Sequence, residues 1–535
     1  MTTDVSVPPD TAPPIKRGSR LWVYAVFGLL AAGAAVGSAQ LVAAFIAPTA
    51  APAYAVGGAF IDRTPLWLKE FAIARFGTND KEVLLATIAG VLVVVALVCG
   101  VLSRRFLPVA CVGVAAIGLI GAAAALTRPF ARLVDALPSL VGSVVGVLVL
   151  VWLTREAQRR TLSTATPPSG SPGKQELAAG TSRRTILVSA LSIAAYAAVA
   201  GVVGTAVSTA RSSVAGARAA IRLPKPADPA KPVPAGAAIG VPGTVAFTTA
   251  NSDFYRVDIN LSVPQVNPTT YQLTIDGMVE HSMKLSFDDL LSMRLVERDI
   301  TMTCVSNEVG GRYVGNARWL GVHVKDLLAT AGVKPGADQI LTTAVDGFTV
   351  STPLAVVTDG RDAMLAVGMN GQPLPLEHGF PVRMIVPGLY GYVSGTKWLT
   401  QMTVTTFAAQ QAYWTQRGYA EHAPIRTMTR IEVPAPLATI APGKVAIAGT
   451  AWAQHRGIEG VEVQVDNGPW LPAGLAAQDT IDTWRQWSIA WQATSGQHTL
   501  RARSVDGTGQ TQTSQRREPV PSGASGWHEI VVLVS

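Results

Sequence analysis

The sequence predicts a multi-domain protein, with about five transmembrane helices first, then a mixed α+β domain, then a C-terminal all-β sandwich. Three observations carry this reading. Long Ala/Val/Leu/Gly runs are confined to residues 1 to about 210. A Pro/Ala/Gly-rich stretch, 209–248, separates them from the rest. Beyond it, strand and helix signals alternate, and from about residue 430 only strand signals remain. The expected domains are therefore 1–208, the linker 209–248, 249–428 and 429–535. The chain-wide averages, 49% hydrophobic and 15% charged, blend two unlike parts.

In the first part, the segments near Leu21–Ile46, Val83–Leu102, Phe106–Leu126, Leu137–Leu153 and Thr185–Ser208 are long and apolar enough to span a bilayer. A charge at the centre of a span costs about 2.5–3.5 kcal/mol, and these cores carry none. Basic residues cluster in alternate loops: Lys16, Arg17 and Arg20; Arg104 and Arg105; then Arg155, Arg159, Arg160, Lys174, Arg183 and Arg184. Placing all three groups in the cytoplasm puts the N-terminus inside and everything after residue 208 outside. Thr64–Phe76 reads either as an interfacial helix, with Trp67, Leu68, Phe71 and Ile73 as its apolar set, or as a structured external loop.

All seven histidines lie after residue 280, so the spans offer no paired imidazoles for a haem. No Cys-x-x-Cys-His occurs either. The membrane part reads as an anchor. The net charge of +8 does not indicate nucleic-acid binding, because the N-terminal basic residues sit in loops beside spans and no basic patch interleaved with aromatics follows.

The linker carries Pro224, Pro226, Pro229, Pro232, Pro234 and Pro242 and reads as a stiff, extended spacer between bilayer and soluble domain. Tyr271–Gly277 alternates and ends in Asp-Gly, a strand and turn. Ser286 reads as the cap of a helix begun by Phe287. A strand then delivers Cys304, Val324–Ala331 is a short helix stopped by Gly332, and Asn370-Gly371 marks a hairpin turn. Past residue 430, the runs Val445–Gly449, Val461–Val465 and Ile530–Val534 are strands. With Trp470, Trp484, Trp487 and Trp491 as core payload, they read as an immunoglobulin-like sandwich.

Cys304 is the one cysteine of three outside the spans. A single thiol in an exported domain leaves three uses: a buried apolar residue, a disulfide between copies, or a nucleophile or metal ligand. Its neighbours add Ser306, Asn307 and Asn316 as polar groups, and Gly310 and Gly311 for close backbone approach. A thiolate is a soft ligand suited to a polarisable metal.

The stretch Thr301-Met-Thr-Cys304-Val-Ser-Asn-Glu-Val-Gly-Gly311, with Asn316–Val322, resembles the sulfite oxidase family of molybdenum enzymes. So does the block Met369–Pro375, His378–Arg383, Pro387-Gly388 and Lys397-Trp398. The resemblance spans roughly 250–535 and excludes the N-terminal part. It implies a molybdopterin cofactor whose molybdenum is bound by Cys304. It implies cofactor contacts from Tyr255 and Arg256, from Ser306 and Asn307, and from His378, Arg383, Ser394 and Lys397. Thr342, and with it Thr343, is placed only by spacing from Cys304. The segment Tyr413–Tyr419 resembles the one that carries a tyrosine near the metal; Tyr419 aligns best, Tyr413 is the alternative, and either phenol suits proton transfer. The sandwich matches the family's dimerisation domain in order, so a homodimer is one implication.

One departure bears on the substrate. Sulfite oxidases place arginines just after the cysteine, to hold an anion. Here Val305-Ser-Asn-Glu-Val-Gly-Gly follows it, and Arg312 is the first cation. A neutral substrate fits such a loop, as in the related exported methionine sulfoxide reductases.

Ser182-Arg183-Arg184-Thr-Ile-Leu187 resembles a twin-arginine export signal. A pterin loaded in the cytoplasm requires that the domain cross already folded, which is the cargo of that machinery. Ala215-Gly-Ala217 also fits a signal-cleavage site, though a retained anchor suits a chain with four earlier spans. The reading is a membrane-anchored molybdopterin oxidoreductase acting outside the cytoplasm on a small molecule, exchanging electrons with a separate redox partner, since the chain shows no haem, flavin or iron–sulfur signature. The competing class is a docking protein that kept the fold and lost the metal.

Overall fold

The computed structural model describes the backbone of residues 21–76, 79–163 and 172–535, leaving aside the side chains of 66, 70, 73, 74, 160–163, 172–186, 211 and 212. Two compact units emerge, Met1–Ser212 and Ser213–Ser535.

The first unit is helical: α1 (Leu21–Ile46), α2 (Pro52–Arg63), α3 (Leu66–Phe76), α4 (Asp80–Ser103), α5 (Leu107–Leu126), α6 (Leu137–Ser163) and α7 (Pro172–Ser212). Among the described residues, five stretches are long and apolar enough to cross a membrane: Leu21–Ile46, Asp80–Ser103, Leu107–Leu126, Leu133–Arg159 and Leu187–Ala220. They match the five segments the hydropathy pattern predicts. Helix α1 is the hub, packing against α4, α6 and α7. Small residues make this approach possible. A Cβ on Gly28 would run into the Ala96 carbonyl of α4, and one on Gly37 would come within 2.7 Å of the Ala197 carbonyl of α7. Close backbone packing of this kind is what pairs helices where apolar burial supplies no drive, as in lipid. The lipid-compatible surface is aliphatic: Val94, Val112, Leu119, Leu148, Leu191 and Val202 are all exposed. The stretch read as an interfacial helix or loop is helical, as α3, with Trp67 and Phe71 exposed. The side chains of Ile73, Arg183 and Arg184 lie outside the described residues, and the export-signal reading with them.

The second unit opens with α8 (Ala215–Ala220). Its first sheet has the order β2-β1-β10-β5-β6, and its second runs β3-β4-β7-β8 with β9 paired to β7. The strands are β1 (Gln272–Gly277), β2 (Met283–Ser286), β3 (Val296–Thr303), β4 (Val314–His323), β5 (Gln339–Ala344), β6 (Thr349–Pro353), β7 (Met364–Met369), β8 (Gln372–Pro373), β9 (Arg383–Ile385) and β10 (Leu399–Thr405). Short helices α9 (Phe287–Ser292), α10 (Val324–Ala331) and α11 (Leu354–Thr358) join them, giving a mixed α+β domain. Local chemistry explains the punctuation. Ser286 and Asp289 form a reciprocal capping box at the start of α9. Gly332 ends α10 in the left-handed region, at φ 68. Asn370 and Gly371, at φ 52 and 75, make the tight β7–β8 turn. Phe254, Ile300, Met302, Trp319 and Phe380 lie in the core beneath the second sheet.

The remaining strands, which include the short β12 (Thr439–Ile440), β15 (Leu471–Pro472) and β16 (Gly474–Leu475), form two facing sheets, β11-β13-β17-β16 and β12-β19-β18-β14-β15. The ones that matter below are β11 (Met428–Val433), β13 (Gly443–Trp452), β14 (Ile458–Val465), β17 (Arg485–Ala493), β18 (Gly496–Asp506) and β19 (His528–Val534). Between them lie Ile431, Ile447, Val461, Val463, Trp487, Leu500 and Ile530. Of the four tryptophans assigned to this core from sequence, only Trp487 is enclosed in it. Trp470 pairs with Trp527 instead, Trp491 packs only at the edge of the core, and Trp484 donates its indole N–H to the Phe247 carbonyl.

The linker, expected as a stiff, extended spacer, is bonded to the second unit along its length. Residues 214–249 form a strap bonded along the second unit. Val214 is buried in its core, and Arg218 donates to the carbonyls of Leu374 and Pro373 at 2.7 and 2.6 Å. Ala227 N–H donates to Leu295 O, Asp228 pairs with Arg298 at 2.7 Å, and Ala477 N–H reaches Gly236 O. Proline removes N–H donors but leaves every carbonyl, and the strap is held through carbonyls, side chains and the N–H groups of its other residues, such as Ala230 onto Glu297 and Ile239 onto Gln486. Ala215–Ala217, read as a cleavage-site match, lies inside α8.

Candidate cofactor and metal site

Strand β3 ends at Thr303 and turns sharply, placing Cys304 at its tip. The Cys304 N–H donates to Tyr313 O at 2.9 Å and its carbonyl accepts from Asn307 N–H at 3.1 Å. Asn307 completes the turn by accepting the Tyr313 N–H on Oδ1 at 2.8 Å. The thiol is buried. Burial pushes its pKa up, while hydrogen bonding from Ser306 and Val305 and the charge of Lys397 favour the thiolate. A sulfur ringed by donors and a cation, yet withheld from water, is stabilised as a thiolate only when an opposite charge binds it.

Around this tip the structure gathers most of the residues singled out from sequence. Tyr255 stacks on Phe254 with centroids 5.2 Å apart, and burial, then the nearby Cys304, raises its pKa beyond the usual phenol range while Arg383 opposes. Arg383 is buried, its guanidinium 5.2 Å from the Trp319 ring centroid. One Nη donates to His378 O at 3.2 Å, and Nε has no hydrogen-bond partner among the described residues. Burial pulls its pKa down to about 10. Lys397 donates to Asp258 at 2.9 Å and to Glu377 O at 3.0 Å, and burial draws its pKa down to about 8 against the pull of Asp258. Arg256 forks onto the same Asp258, at 2.7 and 3.3 Å. His378 faces Asn251 O at 3.1 Å; a carbonyl only accepts, so Nε2 carries the proton. Burial, then Arg383, holds this imidazole neutral, with a pKa of about 4.

Other candidates stand differently. Thr342 uses its hydroxyl on Val350 O and Thr396, inside the first sheet. Ser394 spends its hydroxyl on the carbonyls of Leu389 and Tyr390. Tyr419 is buried in an aromatic cluster with Tyr392 and Trp414, at centroid distances of 5.3 and 5.0 Å. Tyr413 carries the Arg417 guanidinium over its ring. In the loop after Gln454, to which sequence reading gives no site role, His455 bonds Asp482 and Arg456 bonds Asp506.

Sequence reasoning missed two groups. Asp258 is the buried carboxylate that neutralises Lys397 and Arg256 together. Tyr390 is buried, with a pKa pushed up to about 12 by burial and, in smaller part, by Cys304. The Asp two residues after Arg256 was a readable signal for the first. Nothing local marked the second.

The residues fit a pterin cofactor carrying phosphate and molybdenum. Two cations, Lys397 and Arg256, share a single buried carboxylate, and a third, Arg383, keeps an unsatisfied buried donor, as expected where an anion is to be received. The Cys304 sulfur is a soft donor of the kind such a metal takes. Fold and site thus define a molybdopterin-binding oxidoreductase domain.

Comparison with known proteins agrees. Residues 260–414 match the family model described as an oxidoreductase molybdopterin binding domain. Mitochondrial sulfite oxidase of Homo sapiens is 30% identical over 347 residues, covering 55% of this chain and 63% of that protein. The Mus musculus enzyme is 31% identical over 306 residues, covering 48% and 55%. The uncharacterized oxidoreductase YuiH of Bacillus subtilis is 34% identical over 151 residues, 28% of this chain and 73% of that one. A crystal structure of the sulfane dehydrogenase SoxCD from Paracoccus pantotrophus aligns over 53% of this chain and 80% of that one, with TM-score 0.47 and 23% identity. The chain belongs to the sulfite oxidase family of molybdopterin-dependent oxidoreductases. It spans less than two thirds of the length of the two sulfite oxidases it matches.

Proposed function

We propose that this protein is a membrane-anchored enzyme that transfers an oxygen atom to or from a small sulfur compound outside the cytoplasm. The observation that carries the reading is the buried Cys304 near Lys397 and Tyr255, with Arg383 against the same tyrosine and lacking an anionic partner among the described residues. Molybdenum, held by Cys304, supplies the two-electron oxygen-transfer chemistry. Arg383, Lys397 and Arg256 hold the cofactor's phosphate end, while Tyr255 and His378 enclose it. Tyr419 hydrogen-bonds the substrate oxygen and passes a proton.

The loop after the cysteine favours a neutral sulfoxide over sulfite. Glu308 and Arg312 are at the surface, and Arg430, which reaches this loop, is committed to Glu432 and to Gly311 O. Residues 305–311 themselves carry no cation to grip a small anion. Reduction of a sulfoxide consumes two electrons and two protons and releases sulfide and water. Sulfite oxidation runs the balance the other way, taking oxygen from water. Either direction needs a separate redox partner, because the described residues hold no motif for a second redox group.

The five apolar helices support the membrane location. The basic loops support a cytoplasmic N-terminus with the second unit outside, delivered by twin-arginine export. The facing sheets of 429–535 support the immunoglobulin-like reading, with a homodimer as its corollary. A molybdenum assay on purified wild type and Cys304→Ser, followed by a dye-coupled screen of sulfite against sulfoxides, tests the proposal. Stoichiometric metal lost in the variant upholds it; a fully folded wild type without molybdenum turns the reading to the docking-protein class.

A further inference from the structure

The C-terminal sandwich makes a set of contacts that a module for pairing subunits does not require. Strand β3 lies at the edge of its sheet, with β4 on one side only. Its other side offers backbone donors and acceptors that need cover. The strap covers the half far from the cysteine: Asp228 bridges Val296, and Glu297 N–H donates to Asp228 O at 2.9 Å. The half next to Cys304 is covered by the sandwich. Thr301 N–H donates to Asp482 O at 2.9 Å, and Trp484 N–H donates to Thr301 Oγ1 at 2.8 Å. Gln454, which follows β13 and is fully buried, donates Nε2 to Thr301 O and to Thr303 Oγ1, both at 3.0 Å.

Beyond the cysteine the sandwich returns. Arg430 of β11, also buried, donates Nη1 to Gly311 O at 2.7 Å and is itself fixed by Glu432. His528, opening β19, sets its ring against Gly310, where any Cβ would collide with Nε2. Cys304 thus has a residue on each side, Thr303 and the 310–311 turn, tied to another domain by buried side chains.

We propose that the sandwich sets the position of the Cys304 sulfur, with Gln454 and Arg430 as positioning residues. This rests on the reading of Cys304 as the molybdenum ligand. A strand bonded along both edges cannot roll about its axis, so its tip presents the sulfur at one angle. Groups that orient a metal ligand tune the metal as well as hold it. The sandwich is then part of the working site, whatever it also does between copies.

The test uses full-length, molybdenum-loaded protein. Gln454→Leu and Arg430→Met are compared with Val463→Ala, a cavity in the sandwich core, by molybdenum content, thermal stability, the EPR spectrum of the molybdenum(V) state, and kcat and KM. The two positioning variants are expected to keep their metal, shift the EPR parameters and lose about tenfold in kcat with KM little changed. Val463→Ala is expected to melt earlier with an unaltered spectrum. Arg430→Lys, which keeps a donor for Gly311 O, restores the wild-type spectrum. Wild-type spectra and kcat in both positioning variants overturn the proposal, as does a spectral shift in Val463→Ala equal to theirs. Should either positioning variant fail to accumulate, the other decides, a shifted spectrum beside an unaltered Val463→Ala upholding the proposal and a wild-type spectrum overturning it. A folded wild type without molybdenum overturns the metal-ligand reading instead, and the two failures are told apart by the metal assay alone.

Discussion

Arg383 lies against the face of Trp319, its guanidinium carbon 5.2 Å from the ring centroid, and among the described residues no carboxylate pairs with it. A buried cation without a counter-charge is costly, and an arriving phosphate removes that cost. Arg383→Met therefore loses pterin from the purified protein while leaving the apo fold as stable as wild type or more so. Loss of a charged hydrogen bond is worth roughly 1.5–3 kcal/mol, about a ten- to hundredfold drop in retention. Pterin fluorescence after denaturation, beside a melting curve, measures both.

Lys397→Met behaves differently. Its partner Asp258 is buried and also holds Arg256, so removing the ammonium leaves that carboxylate with one cation instead of two. This variant is expected to lose stability as well as cofactor. Adding Asp258→Asn to Lys397→Met recovers part of the stability, as read by melting temperature.

The helix bundle gives a test independent of chemistry. Gly28 and Gly100 let α1 and α4 touch backbone to backbone, and Gly100 backs onto the Tyr24 carbonyl. Gly28→Leu pushes the pair apart and costs roughly 1–3 kcal/mol. Thermal aggregation in detergent should set in earlier for the variant, with the metal content of the folded fraction unchanged.

Much of this architecture was readable in advance. The five long apolar helices, the Ser286 cap, the Gly332 stop and the Asn370-Gly371 turn are local events, decided within a few residues of chain, and the structure shows each of them. Cys304, Arg383 and Lys397 stand out in the sequence because a lone thiol and cations among apolar neighbours are unusual, and the structure buries Cys304 and Arg383 and places Lys397 near the thiol. The strap was misread because proline-rich composition reports backbone stiffness and says nothing of where carbonyls find donors. Thr342 was placed by spacing alone, which cannot tell that its hydroxyl faces Thr396 within the sheet. Gln454 and Arg430 act more than a hundred residues away in the chain, on Thr301, Thr303 and Gly311, and no sequence pattern marks such a pairing.

His528 gives the pH prediction. Burial first, with Arg430 and Arg516 adding, lowers its pKa to about 4, and its Nδ1 accepts the Ile431 N–H at 2.9 Å. The folded protein keeps this ring neutral, whereas the unfolded chain protonates it near 6.5. Below 6.5 the unfolded state therefore binds the extra proton, and stability falls with pH until about 4, by roughly 3 kcal/mol in all. Melting curves of the wild type between pH 7 and 4.5 should show this slope. His528→Gln, which keeps an acceptor for Ile431, should flatten it.

Tyr419→Phe tests the proton role. The ring stays in its cluster with Tyr392 and Trp414, so folding is preserved. The expected loss is roughly a hundredfold in kcat, with cofactor content unchanged, as read by steady-state kinetics with a dye and by metal analysis.

Because β3 is sealed on its free side by residue 228 at one end and by residues 454, 482 and 484 at the other, the strand carrying Cys304 is complete only when chain from both termini of this unit has arrived. A fragment cut to 249–428 would leave a bare strand edge open to self-association. During synthesis the ribosome must pass residue 484 before that edge closes, which places the earliest competent receipt of the pterin late in translation or after release.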